Sequence, residues 1–138
     1  GNGNLTILYC TGSENKSTME KFNLQDKFAL FTDHWKPKVV ASLNEQELKL
    51  VKLQGEFPWH LHEREDELFL VWRGKMRIEF RDKVVHLGPG DGLVVPQGIE
   101  HRSAAEEECE VLVFEPRGTR NTGNLEDEKF TAHSNPTI

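Results

Sequence analysis

"GEFPWHLHEREDELFLVWRG", residues 55–74, sets two histidines one residue apart, follows them with four acids, and then turns into the apolar run "LFLVW". If "WHLH" is extended, side chains alternate from face to face, so His60 and His62 project together and Leu61 projects the other way. Two imidazoles with carboxylates close by suit Zn, Fe, Mn, Ni or Co rather than Ca. A third donor must come from the acids. Glu63, Glu65, Asp66 and Glu67 all offer one, and the spacing favours Glu67. It opens the apolar strand and shares a face with Phe69 and Val71, while Leu68, Leu70 and Trp72 face the other way. Asp66 is the rival carboxylate, and Glu63 and Glu65 read as solvated. A fourth donor follows in "PQGIEH", where Pro96 and Gly98 build a tight turn that delivers His101 to the next strand.

Outward from this stretch, residues 38–116 break into short runs with turn signals between them and no helical period. The runs are "KVVASL", "ELKLVKLQ", "DELFLVW", "KMRIEF", "KVVHL", "DGLVVP" and "ECEVLVFEP". In "KMRIEFR" Met76, Ile78 and Phe80 alternate with Lys75, Arg77, Glu79 and Arg81, which predicts one buried and one wet face. "LFLVW" and "VLVF" are apolar on both faces and need cover on each side. This pattern predicts an all-β sandwich or barrel.

The spacing also resembles a known family. Gly55, four residues, His60-x-His62, four residues, Glu67, six residues and Gly74 resemble the first motif of the cupins. Gly90, five residues, Pro96-x-Gly98, two residues and His101 resemble the second. The spacer after Gly55 is one residue shorter than the family's usual five, and Ala105 stands where asparagine is common. The chain is thereby identified as a single-domain cupin, similar to the small cupins grouped as mannose-6-phosphate isomerase-like and RmlC-like. The resemblance implies a double-stranded β-helix, or jelly-roll, barrel that holds one divalent transition metal through His60, His62, Glu67 and His101. It also implies a small-molecule ligand, and Phe57 and Phe69 are the candidate pocket-lining residues. Three neutral imidazoles and one carboxylate point to a metal-dependent enzyme on a small polar metabolite. The chemistry would be of isomerase, epimerase or dioxygenase type, and the alternative is a binding module without turnover. No separate acid or base stands out as a catalytic residue.

The flanks read differently. Residues 1–18 form a polar arm containing "LTILY", residues 19–37 a segment packing on the barrel, and residues 117–138 a polar tail that wraps the surface or frays, with Phe130 as an anchor. His34 and His133 read as surface residues and His86 as a partly buried one. Cys10 and Cys109 make no metal or disulfide framework, so Cys109 is expected to pack as a small hydrophobe. With 17 basic and 23 acidic side chains the formal charge is −6, which disfavours nucleic-acid and anionic-membrane partners. The opening residues lack the pattern of a secretion signal, so a cytoplasmic protein is expected. The strands that are apolar on both faces further predict a homodimer.

Overall fold

The computed structural model describes residues 18–138; the arm, with "LTILY" and Cys10, falls almost wholly outside them. Seven strands form: β1 (Lys38–Leu43), β2 (Gln46–Glu56), β3 (Glu67–Arg73), β4 (Met76–Phe80), β5 (Val84–Leu87), β6 (Gly92–Val95) and β7 (His101–Pro116). Each corresponds to one of the seven runs read from the sequence. The longest differs most, because β7 begins at His101 and not at Glu108. The sheet order is β1-β2-β7-β3-β6, with β4 joined to β5 and β7, and all these pairings are antiparallel.

β7 is the spine of the molecule. Its first half pairs with β4, from Phe80↔His101 to Arg77↔Ala104, and its second half pairs with β3, from Arg73↔Glu110 to Leu68↔Phe114. β2 runs along the other edge of both halves. Between the halves the register slips from Leu53↔Cys109 to Gly55↔Ala105, and Glu106, Glu107 and Glu108 bulge out, all exposed. Extra residues on one strand bend it. The β3–β4 turn follows the same bend at Gly74, whose φ is +92° and where a Cβ would sit 2.9 Å from the Glu108 carbonyl oxygen; only glycine suits both demands. The bend folds the inward faces of the two halves towards each other, and that closes the jelly roll.

The interior holds Val51, Leu53, Phe57, Phe69, Val71, Met76, Ile78 and Val111, among others, with Cys109 fully buried among them. The outer face of β2 and β7 carries a second cluster, in which Leu50 and Leu112 are covered by Phe28 and Phe31. Phe28 sits on a single helical turn, α1 (Leu24–Phe28), capped by Asn23, whose Oδ1 accepts the Asp26 amide at 2.9 Å. One turn is too short to show a helical period in sequence, and burial of Phe28, worth about 2–3 kcal/mol, holds it in place.

The end of the tail lies against the barrel. It returns to the edge of β1, where Val39 donates to Pro136 O at 2.8 Å and Ile138 donates to Val39 O at 3.0 Å. That covers an edge otherwise open to another strand. His86 departs from expectation: it is exposed, because Leu87 and Val85 take the sheltered side of β5. Among the described residues, no helix is long and apolar enough to cross a membrane.

Candidate metal centre

His60 and His62 lie in an extended segment outside any regular strand. His60 alone forms a bridge, exchanging two backbone hydrogen bonds with His101 at 3.0 and 2.9 Å. That pairing sets the start of β7 beside the HxH segment and brings the His60 and His101 rings to 4.5 Å between centroids. Glu67 opens β3 on its inward face, and the bent β7 carries His101 to it. His62 Nε2 and His101 Nε2 stand 3.2 and 3.6 Å from Glu67 Oε1. One donor atom from each of His60, His62, Glu67 and His101 lies within 4.8 Å of the others, and all four residues are buried.

Two of the imidazoles are oriented by carbonyl oxygens, which only accept. His60 Nδ1 therefore donates to Pro58 O at 3.0 Å and His101 Nδ1 to Ile99 O at 2.9 Å. Each ring then presents its Nε2 lone pair inward, the arrangement in which metal-ligating imidazoles are held by their other nitrogen. No well-aligned hydrogen bond satisfies both ring nitrogens of His62, Glu67 Oε1 or His101 Nε2, although these atoms are out of contact with water. Buried polar atoms without partners are rare and costly. A divalent ion, about 2.0–2.2 Å from each donor, would satisfy them together, and donors on a common ion stand roughly 3–4.4 Å apart. The residues fit such an ion.

Electrostatics points the same way. Burial, with the neighbouring His101 adding to it, lowers His60 to a pKa of about 4, so its ring is neutral and free to donate a lone pair. Burial opposes charge on Glu67, but contact with the His101 and His62 rings outweighs it and holds the carboxyl well below its ordinary range.

The competing acids are placed elsewhere. Asp66 turns outward and accepts the Gln97 amide at 2.8 Å, tying the start of β3 to the turn before His101. Glu63 is exposed, and Glu65 stands 4.0 Å from His62 Nδ1 at the rim. Arg102 faces away from His101 and binds Glu79 at 2.9 Å. Phe57 and Phe69 are both buried and line a small cavity against His60 and Glu67. His34 pairs with Glu108 at 2.7 Å on the surface, and His133 is exposed.

Sequence reasoning missed Glu115 and Lys49. Both point inward, from β7 and β2, with Lys49 Nζ 3.0 Å from Glu115 Oε1 and 3.8 Å from Glu47 Oε1. Glu115 lines the same cavity and touches Glu67. Burial and the charge of Glu67 push the Glu115 carboxyl well above its ordinary range, and Lys49 only partly offsets them. The available signal was parity: Glu115 falls in step with Val111 and Val113, and Lys49 in step with Val51 and Leu53.

Comparison with known proteins identifies the family. A family described as the cupin domain matches residues 48–115. A cupin-2 domain containing protein from Shewanella frigidimarina is 47% identical; the match covers 70% of this chain and 94% of that one, with a TM-score of 0.69. The chain belongs to the cupin family. A second structure, protein NMB1881 from Neisseria meningitidis, is 28% identical over 70% of this cupin and 99% of its own chain, with a TM-score of 0.66. YdbB of Bacillus subtilis, an uncharacterized protein, is 37% identical over 65 residues; that match spans 46% of this cupin and 58%, little more than half, of YdbB.

Proposed function

We propose that this cupin binds one divalent transition metal through His60, His62, Glu67 and His101 and uses it on a small polar metabolite. The observation that supports this most directly is the convergence of four buried donors within 4.8 Å, three of them with atoms that no hydrogen bond satisfies. Zn, Fe, Mn, Ni and Co all suit three imidazoles and a carboxylate. Bound there, such an ion would polarise a chelating oxygen substrate or, as Fe or Mn, support O₂ chemistry. The protein's part is to hold the rings through the Pro58 and Ile99 carbonyls, to keep Glu67 ionised, and to exclude water with Phe57 and Phe69.

Elemental analysis by mass spectrometry of untagged protein should find close to one metal per chain, and His62→Ala should lose most of it. Full metal in the His62→Ala, His101→Ala double variant, with unchanged circular dichroism, would refute the assignment. Metal-dependent O₂ consumption or isomerisation of a sugar or keto acid would distinguish an enzyme from a binder.

We also propose that the working form is a homodimer. The outer face of β3 and β6 supports this, since Trp72 and Val94 are 40% and 51% exposed beside the half-buried Leu68, Leu70 and Phe114.

A further inference from the structure

Any small-molecule role for the metal centre raises a problem of access. His60, His62, Glu67 and His101 are 5%, 3%, 6% and 0% exposed, and the cavity beside them measures about 40 Å³. That is room for about one water, far below the roughly 300–1,000 Å³ of ordinary ligand sites. A metabolite enters only if part of the wall moves.

The wall is thin in one direction. On the outer side of Trp35 lies a groove of about 330 Å³, formed by His34, Gln54, Gly55, Glu56, Lys129 and Phe130. Trp35 lines both spaces. Phe57 faces the cavity and Phe130 the groove, with ring centroids 4.8 Å (Trp35 to Phe57), 6.1 Å (Trp35 to Phe130) and 5.2 Å (Phe57 to Phe130) apart. Three aromatic rings therefore stand between this groove and the narrow cavity beside the centre.

Two of the three are fixed. Trp35 is held at φ +67°, a costly conformation for a bulky side chain, by hydrogen bonds from its amide to Lys52 O and from its indole to Gln54 O, each 2.9 Å. The Phe57 amide bonds Ser103 O at 2.9 Å. Phe130, in contrast, rides on the polar tail and is only half-buried. Lys36 Nζ donates to Lys129 O at 3.3 Å and Thr131 O at 3.4 Å, and the Phe130 amide donates to Asp127 Oδ1 at 3.0 Å, but one side chain ties Phe130 directly to Trp35. Asn121, which also lines the cavity, donates to Trp35 O at 3.1 Å and Phe130 O at 2.7 Å, and its Oδ1 accepts the Ala132 amide at 2.8 Å.

We propose that residues 126–132 form a lid over the barrel, that Phe130 is its plug and Asn121, on the fixed segment before it, its latch, and that ligands reach the centre from the groove beside Trp35. Groove and cavity joined reach the size of an ordinary ligand site. The competing entrance lies beside His62, in a cleft lined by Arg64, Arg120 and Asn124. His62 itself lines that cleft, but its wall is held more firmly. Asn124 donates its amide to Leu61 O at 2.9 Å and accepts the Leu61 amide at 3.0 Å, and Gly123 lies so close that a Cβ there would strike the Leu61 carbonyl.

The lid rests on the ligand-binding reading of the centre but can be tested without metal. Metal-free full-length protein is treated with diethyl pyrocarbonate and each histidine is followed by peptide mass mapping, with exposed His86 as the internal standard. Phe130→Ala and Asn121→Ala should each speed modification of His60 by about tenfold, the effect of shifting a closed state by about 1.4 kcal/mol, with His86 unchanged and circular dichroism preserved. Phe130→Leu should fall between. An unchanged His60 rate in both folded alanine variants would overturn the proposal. So would Asn124→Ala acting alone, speeding His62 first. In zinc-loaded protein the same two variants should release metal to a chelator faster by a similar factor. Failure of the wild type to take up zinc would count against the metal reading alone, because the histidine footprint judges the lid independently.

Discussion

His60 illustrates how a single side chain links burial to stability. Its pKa is lowered to about 4 by burial and by His101, whereas the unfolded ring titrates near 6.5. Between these values the unfolded chain binds a proton that the folded chain refuses, so stability falls as the pH falls. Metal-free protein should therefore lose up to about 3 kcal/mol between pH 6.5 and 4 through this residue, because a one-proton difference between the two states is worth about 1.4 kcal/mol for each pH step of one. Urea unfolding across that range, comparing wild type with His60→Gln, checks it. A variant with the same pH slope as wild type would show that other groups carry the loss. The candidate donors were readable at this scale because histidine pairs and turn-delivered histidines are scarce and their spacing is short-range. Glu115 was not, since a charged residue in a strand reads as wet until the second half of the sheet lies over it.

At the scale of elements, β2 presents an unusual inward face, with Glu47 and Lys49 preceding Val51 and Leu53, all buried. Lys49 is fully buried and bonds Glu115 at 3.0 Å and Thr119 O at 3.4 Å. Removing one partner of a buried ion network is costlier than never having built it. Lys49→Met should destabilise metal-free protein by about 3–5 kcal/mol, and the double variant Lys49→Met, Glu115→Leu should recover a large part of that. Denaturant midpoints at constant m-value test both. All seven strands could be read from alternation and turn residues, but α1 could not. The continuity of β7 was also hidden: His101 was expected on a strand after the turn, but "HRSAAEEE" mixes small and charged residues and runs on into "CEVLVFEP" only by pairing with β4 and β2.

For the whole molecule, the two outer faces have different fates. Phe28 and Phe31 cover Leu50 and Leu112, whereas Trp72 and Val94 remain open. Light scattering at micromolar concentration should give about twice the chain mass of 15.8 kDa. Trp72→Glu should shift the population towards monomer, because a charge at the centre of an apolar contact opposes association. A mass of one chain, independent of dilution and salt, would remove the dimer. The apolar outer faces of β3 and β7 were evident in sequence; which part would be covered from within the chain was not, because that depends on where a single five-residue helix settles.

The spine role of β7 also bears on how the chain comes to be folded as it is made. β2, β3 and β4 all hydrogen-bond to β7, and three of the four candidate metal donors precede it in the chain. During synthesis from the N-terminus, most of the barrel's apolar strands therefore emerge before the strand that joins them. β2, β3 and β4 can pair with β1, β6 and β5 beforehand, but none completes its pairing with the spine until Pro116 leaves the ribosome. Such long-range pairing is slow and leaves strand edges open to other chains in the meantime. A nascent chain halted after residue 100 should thus be protease-sensitive and dependent on chaperones.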